Sequence, residues 1–343
     1  MKAIQISRPF ALDLVSLEQP ACGEEEVLLK IRYVGFCGSD LNTYRGGNAL
    51  AKQPVIPGHE IGAEIICVGK KVPSELRPGM TVTVNPYTNC GHCAACRNRR
   101  FNACEHNETL GVQRDGAMRE FLVVPWQKVI VAEGLTAKNC ALVEPMSVGF
   151  HAVSRAQVTD NDTVVVFGCG MIGAGAIVRA SLRGAKVVAV DLDEEKLEVA
   201  RSLGASHTVN GAKEDVRERV AALTEGRMAD AVIEAVGNPV TQNQAIDCVG
   251  FTGRVVFIGY SKEDTAFHTR LFVQKELTIC GSRNAQPEDF RAVIQYLRRG
   301  SCPYDRLISS VVQPEEAAAA MAAWHADPGK VFRILVEFNP SEP

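Results

Sequence analysis

The 343-residue sequence predicts an α/β fold: a β-rich part before about residue 150 and, after it, a doubly wound parallel sheet. Two observations carry this prediction. Before residue 150 the chain runs in short β-type stretches punctuated by Gly and Pro: "EVLLKIRYVGFC", "HEIGAEIICVG", "MTVTVNP" and "EFLVVPWQKVIVA". Such spacing suggests a barrel or sandwich. After residue 150, apolar strands alternate with helical stretches: "TVVVFG", "MIGAGAIVRASLRG", "KVVAVD", "DEEKLEVARSLGA", and then the strands "ADAVIEAVG", "RVVFIGY" and "ELTICGS". From about residue 287 the style changes again. "PEDFRAVIQYLRRG" and "PEEAAAAMAAWHA" read as helices opened by proline, where the ring is tolerated. The strand "KVFRILVEF" follows, and the "NPSEP" tail is expected to be mobile.

Length implies two domains. With 46% hydrophobic and 22% charged residues and a net charge of −3, nothing asks for nucleic acid or an anionic membrane. No export signal and no membrane-length apolar run are visible, so a cytoplasmic protein is expected. Of twelve cysteines, eight are scattered and read as small buried apolar side chains. The other four, Cys90, Cys93, Cys96 and Cys104, crowd into "CGHCAACRNRRFNAC". A disulfide knot, a redox centre and a metal site compete for them. A reducing compartment argues against the first.

"GCGMIG" places Gly168, Gly170 and Gly173 in the dinucleotide spacing, with Met171 and Ile172 opening the helix. The motif follows an apolar strand and precedes Asp191, which ends the next strand. Gly168 permits the tight turn, Gly170 the approach of a pyrophosphate, and Gly173 close helix–strand packing. Asp191 can accept hydrogen bonds from ribose hydroxyls and would repel a 2′-phosphate. Leu192, Asp193, Glu194 and Glu195 follow with no arginine, so NAD is favoured over NADP.

Cys37 in "FCGSD", His59 and Glu60 in "PGHE", and Glu144 in "VEP" supply the N/S/O mixture of a catalytic zinc site that keeps one position open.

Taken in order, "CGSD", "GHE…G…I…VG", the clustered cysteines, "EPMSVGFHAV" and the dinucleotide unit carry a resemblance. The chain resembles the zinc-dependent medium-chain alcohol and polyol dehydrogenases, especially the sorbitol and threonine dehydrogenase branch. The resemblance implies a GroES-like catalytic domain over 1–148 and 287–343, with a structural-zinc lobe at about 88–106. A Rossmann NAD-binding domain is implied over 149–286. It implies two zinc ions per chain: a catalytic one bound by Cys37, His59 and Glu144, with Glu60 beside the metal to exchange with another ligand or hold its water, and a structural one on the four clustered cysteines. It also implies that Ser39 passes the substrate proton toward the cofactor ribose, and that copies of the chain associate as a homodimer or homotetramer through a sheet edge such as "ELTICGS". Relatives often carry histidine where this chain has Asn42, and asparagine cannot take up a proton, so that role is not carried over. The arginines of "RNRR" read as a solvated loop around the metal rather than a nucleic-acid contact.

The substrate expected is a secondary alcohol. "GSRNAQPEDF" resembles the matching stretch of bacterial L-galactonate and L-gulonate 5-dehydrogenases, and Arg283 and Asn284 suit a carboxylate or several hydroxyls. A hexonate sugar acid is therefore expected, ahead of a sorbitol-like polyol and of L-threonine. The contrasting expectation, resting on Asn42 alone, is a regulatory protein that binds NAD without turnover.

Overall fold

The strand Glu26–Gly35 organises the first of two compact units in the computed structural model, which describes residues 1–340. That unit comprises Met1–Glu144 together with Gln286–Pro343. Val27, Leu29 and Ile31 alternate along the strand and are wholly buried, as a two-residue side-chain period requires. On one side it pairs antiparallel with Glu60–Val68. Its other side is shared: Phe121–Pro125 pairs with its first half, and Ile334–Glu337 with residues Tyr33 to Gly35. Thr81–Val84, Val129–Val131 and Ser310–Val312 complete a seven-stranded sheet. An antiparallel pair, Lys2–Arg8 with Ala11–Ser16, adds Ile4 and Ile6 to the same apolar core.

The two proline-led segments become helices Pro287–Leu297 and Ala317–Ala326, the latter preceded by a turn of 3₁₀ helix at Pro314–Glu316. "KVFRILVEF" yields a shorter strand than its composition suggests, with ladder pairing confined to Ile334–Glu337. The start of the tail is tied down rather than mobile. Asn339 Nδ2 donates to the carbonyls of Ile31 and Glu120 at 3.2 and 3.0 Å. Residues 341–343, on which the rest of that expectation falls, lie outside the described residues.

The second unit, Pro145–Ala285, holds a six-stranded, wholly parallel sheet. Its spatial order is His207–Asn210, Lys186–Asp191, Thr163–Phe167, Ala229–Glu234, Val249–Phe257 and Thr278–Gly281. Numbered along the chain this is 3-2-1-4-5-6, the doubly wound order. Both faces are covered by helices, so the strands read as unbroken apolar runs: Val164, Val165 and Val166 are all fully buried. The strand at "HTVN" was not anticipated, being short and half polar. Pairing with Lys186–Asp191 creates it. The order reverses between Thr163–Phe167 and Ala229–Glu234, and Gly168 follows immediately at the carboxyl end of the first. Open α/β sheets bind ligands at that place.

Gly168 adopts φ +86° to turn the chain into the helix Met171–Leu182. A Cβ on Gly173 would lie 1.7 Å from the Gly168 carbonyl oxygen, so helix and turn touch backbone to backbone there. Gly173→Ala must force them apart. Its expected cost is about 1–3 kcal/mol, read as a lower urea midpoint with unchanged m; an unaltered midpoint would show that the contact yields freely.

Candidate active site and metal centres

Antiparallel register assembles the first cluster. Gly35 pairs with Glu60 across neighbouring strands, so His59 and Glu60 face the stretch that leads from Gly35 to Cys37. Cys37 ends that stretch as the N-terminal cap of the short helix Gly38–Tyr44. Asp40 closes the cap, its Oδ2 accepting from the Cys37 backbone N–H at 2.8 Å. One donor atom each of Cys37, His59 and Glu60 lie within 4.8 Å of one another. His59 and Glu60 are buried and Cys37 half-buried. Gly35 is required opposite the carboxylate: a Cβ there would meet Glu60 Oε2 at 2.2 Å.

The electrostatics of the cluster call for a cation. Burial raises the Glu60 carboxyl well above its ordinary range, and only Arg333 and His59 oppose the rise. Arg333 reaches it from the residue before Ile334, with Nε 3.1 Å from Glu60 Oε2, and Nη1 donates to the Phe36 carbonyl. Burial would also raise the Cys37 thiol, but the His59 imidazole and Arg333 outweigh it and bring the thiol down to about 7. His59 is displaced upward well above its usual value: burial opposes its charge, and Cys37, Glu144 and Asp40 together outweigh that. His59 Nδ1 and both Glu60 oxygens have no hydrogen-bond partner. Each unsatisfied buried group costs about 1–3 kcal/mol. A soft-to-borderline cation would satisfy a thiolate, an imidazole and a carboxylate together, so the donor set fits zinc.

Glu144 stands outside that group of mutually close donors and is held otherwise. The Tyr87 hydroxyl donates to its Oε1, and the Tyr87 ring packs edge-on against Phe290 at 6.4 Å. Burial, and then the Glu144 carboxylate, push the Tyr87 phenol well above its ordinary value, so it stays a donor. The Ser39 Oγ is buried and has no hydrogen-bond partner. The Asn42 amide is spent on the Gly47 carbonyl, 3.2 Å away, as a loop tie.

The four clustered cysteines converge as a second set. Cys90 Sγ lies 4.0 Å from Cys96 Sγ, and Cys93 Sγ lies 3.8 Å from Cys104 Sγ. Zinc–sulfur bonds of about 2.3 Å in a tetrahedron imply sulfur–sulfur edges of about 3.8 Å, whereas a disulfide needs about 2.05 Å. The spacing fits one four-coordinate ion and excludes the disulfide knot. Backbone N–H groups of Glu105 and Cys96 push the Cys93 thiol down to about 6, the thiolate form that binds metal.

In the second unit, the open space before Gly170, with no atom within 4 Å of a Cβ there, leaves room for a phosphate at the N-terminus of Met171–Leu182. Met171 and Ile172 form the first turn of that helix. Asp191 does more than its position suggested. Its Oδ2 accepts from the Cys169 N–H at 2.7 Å, and its Oδ1 from Leu192 and Asp193 at 2.8 and 3.1 Å, tying the glycine turn to the next strand. Arg283 and Asn284 are partly buried after the edge strand, Asn284 with φ +54°. Sequence reasoning missed Arg333 and Tyr87. A lone arginine entering the strand "RILVEF" was the available signal for the first; "NPYTNC" offered none for the second.

Comparison with known proteins places the chain in a family. Residues 23–134 match the alcohol dehydrogenase GroES-like domain, and 172–299 match the zinc-binding dehydrogenase domain. The chain is 35% identical to the L-galactonate-5-dehydrogenase of Escherichia coli K12 over 90% of this chain and 91% of that one. It is 30% identical to the sorbitol dehydrogenase of Bacillus subtilis, over 99% and 98%. A crystal structure of an alcohol dehydrogenase from Escherichia coli CFT073 with NADH superposes with a TM-score of 0.90 at 30% identity, covering 98% and 99% of the two chains. The chain belongs to the zinc-dependent medium-chain alcohol and polyol dehydrogenases. Among the described residues no helix is long and apolar enough to cross a membrane.

Two outcomes are expected. Purified protein should hold about two zinc ions per chain, and Cys96→Ser should lose one of them selectively; elemental analysis showing one ion in the intact chain contradicts the two-site arrangement. Arg333→Met should destabilise by about 3–5 kcal/mol by stranding a buried carboxylate. Adding Glu60→Gln should recover much of that loss in urea unfolding, and strictly additive losses would mean the two side chains are not coupled.

Proposed function

We propose that this dehydrogenase oxidises a secondary alcohol of a sugar acid, passing the hydride to NAD. The observation that carries the reading is the convergence of Cys37, His59 and Glu60, whose donor atoms lie within 4.8 Å of one another, with no hydrogen-bond partner for His59 Nδ1 or the Glu60 oxygens. Those three residues would hold the catalytic zinc, with Glu144 kept back by Tyr87 and adding negative potential. When bound, the metal supplies Lewis-acid chemistry to a substrate hydroxyl. The chain's own groups do the remainder. Ser39 Oγ, buried and unpartnered, is the group on this loop able to take up the departing proton and pass it on. Arg333 holds Glu60 in place, and Asp40 fixes the Cys37 cap.

Cys90, Cys93, Cys96 and Cys104 would hold a second, structural zinc. Gly168, Gly170, Met171, Ile172 and Gly173 would cradle the pyrophosphate. Asp191, although it accepts three backbone bonds, retains lone pairs for ribose hydroxyls and a charge that disfavours a 2′-phosphate. NAD is thereby preferred, and the NADH-containing structural relative supports this. Arg283 and Asn284 would meet the substrate's carboxylate, a reading supported by the L-galactonate-oxidising relative. A neutral polyol is the second reading, favoured by the sorbitol dehydrogenase. The sheet-edge strand Thr278–Gly281, which pairs on one side only, would join copies of the chain into a homodimer or homotetramer.

The test is NADH formation over aldonates, polyols, amino-acid alcohols and simple alcohols, with NADP as a parallel acceptor and chelation as control. Arg283→Ala should lower kcat/KM for aldonates about thirtyfold, roughly 2 kcal/mol, while sparing polyols. Equal losses on both classes would remove the sugar acid and leave the dehydrogenase. NAD binding with no turnover on any alcohol would replace the enzyme by a nucleotide sensor.

A further inference from the structure

The four-cysteine loop also carries imidazoles that the buried sulfur set does not use. His92 and His106 each stand two residues after a clustered cysteine, Cys90 and Cys104 respectively. The turns that deliver those thiols therefore deliver the rings too. The two rings are 5.9 Å apart between centroids and tilted by 33°. Both are exposed, whereas Cys93, Cys96 and Cys104 are buried, and Cys90 lies between these extremes. One ring nitrogen from each histidine and the Cys90 sulfur fall within 4.8 Å of one another. The segment is held in place: His92 Nδ1 lies 3.0 Å from the Cys90 carbonyl, and Arg97 Nη1 donates to the His92 carbonyl at 2.8 Å.

Two surface imidazoles can stack without purpose, but stacking does not require a thiol at ligand distance from both. We propose that Cys90, His92 and His106 form a third, solvent-facing metal site for a borderline divalent transition ion such as Zn²⁺ or Co²⁺. Two nitrogens and one sulfur match the preferences of those ions. Mg²⁺ and Ca²⁺ demand oxygen ligands and are excluded. Three protein donors leave a position for water, so this site binds more weakly and exchanges faster than a closed set of four thiolates. Cys90 belongs to both sets, and a thiolate sulfur has lone pairs enough to bridge two ions. The inference is independent of the proposed substrate and of hydride transfer.

The experiment adds Co²⁺ to the full-length, zinc-loaded protein and follows bound cobalt, retained zinc and the near-ultraviolet absorption. Expected is about one further equivalent per chain, with a thiolate-to-cobalt charge-transfer band and no zinc released. His92→Ala and His106→Ala should each abolish the extra equivalent and its band, with zinc content and urea midpoint unchanged. Failure of the intact protein to take up extra cobalt overturns the site. So does uptake that persists in both variants, uptake matched by an equal loss of zinc, or uptake without the thiolate band.

Discussion

A carboxylate with no route to water governs the metal-binding unit. Glu60 is completely buried at the end of its strand, and burying a lone ionised carboxylate costs several kcal/mol. The fold answers with positive charge from two directions: Arg333 arrives from the C-terminal segment and His59 immediately precedes Glu60, while Cys37, at the neighbouring strand's exit, adds a like charge. None of these placements is independent. Gly35 must lack a side chain for the carboxylate to lie where it does, and Phe36 must present its carbonyl to Arg333. Opposite charges forced together in a small volume leave an incomplete balance, and that incompleteness is what makes the cluster a receptor for a cation.

The two metal sets illustrate opposite solutions to holding an ion. The cysteine set is closed and local: its members span a short loop, and their sulfur spacing already matches a tetrahedron. The cluster at Cys37 is open and distributed, drawing on strands far apart in sequence, with mixed donors whose protonation is interdependent. A small lobe with little apolar core gains most from the first kind, since metal binding there contributes directly to folding. A reacting site gains from the second, where a position remains for a substrate.

What was readable in the sequence divides along the same line. The glycine turn is legible because its spacing falls between an apolar strand and a helix, whereas the cysteine loop, Cys37 and His59 become legible only when the motifs are taken together in order. The doubly wound order follows from strand–helix alternation. The surroundings of Glu60 and Glu144 were not legible, because the pairing of Gly35 with Glu60 and the bond from the Tyr87 hydroxyl to Glu144 are both tertiary facts. Arg333 was hidden for the same reason: beside a strand it reads as an ordinary solvent-facing cation, and only the antiparallel contact with Tyr33–Gly35 turns it inward. Asn339 shows the reverse error, a polar tail residue read as loose that two distant carbonyls hold fast.

Because the central strand Glu26–Gly35 is flanked by Ile334–Glu337, synthesis and assembly cannot run in the same order. The nucleotide-type unit is one continuous stretch, complete once residue 285 has been made. Its companion, whose earlier segment is made before that unit, must wait until Ile334–Glu337 supplies the missing strand and Arg333 its charge. During that interval Glu60 lacks its arginine and an edge of Glu26–Gly35 stands open. The inserted unit can therefore be native while the enclosing unit is still an unfinished sheet with an open strand edge, the kind of intermediate that is prone to aggregate.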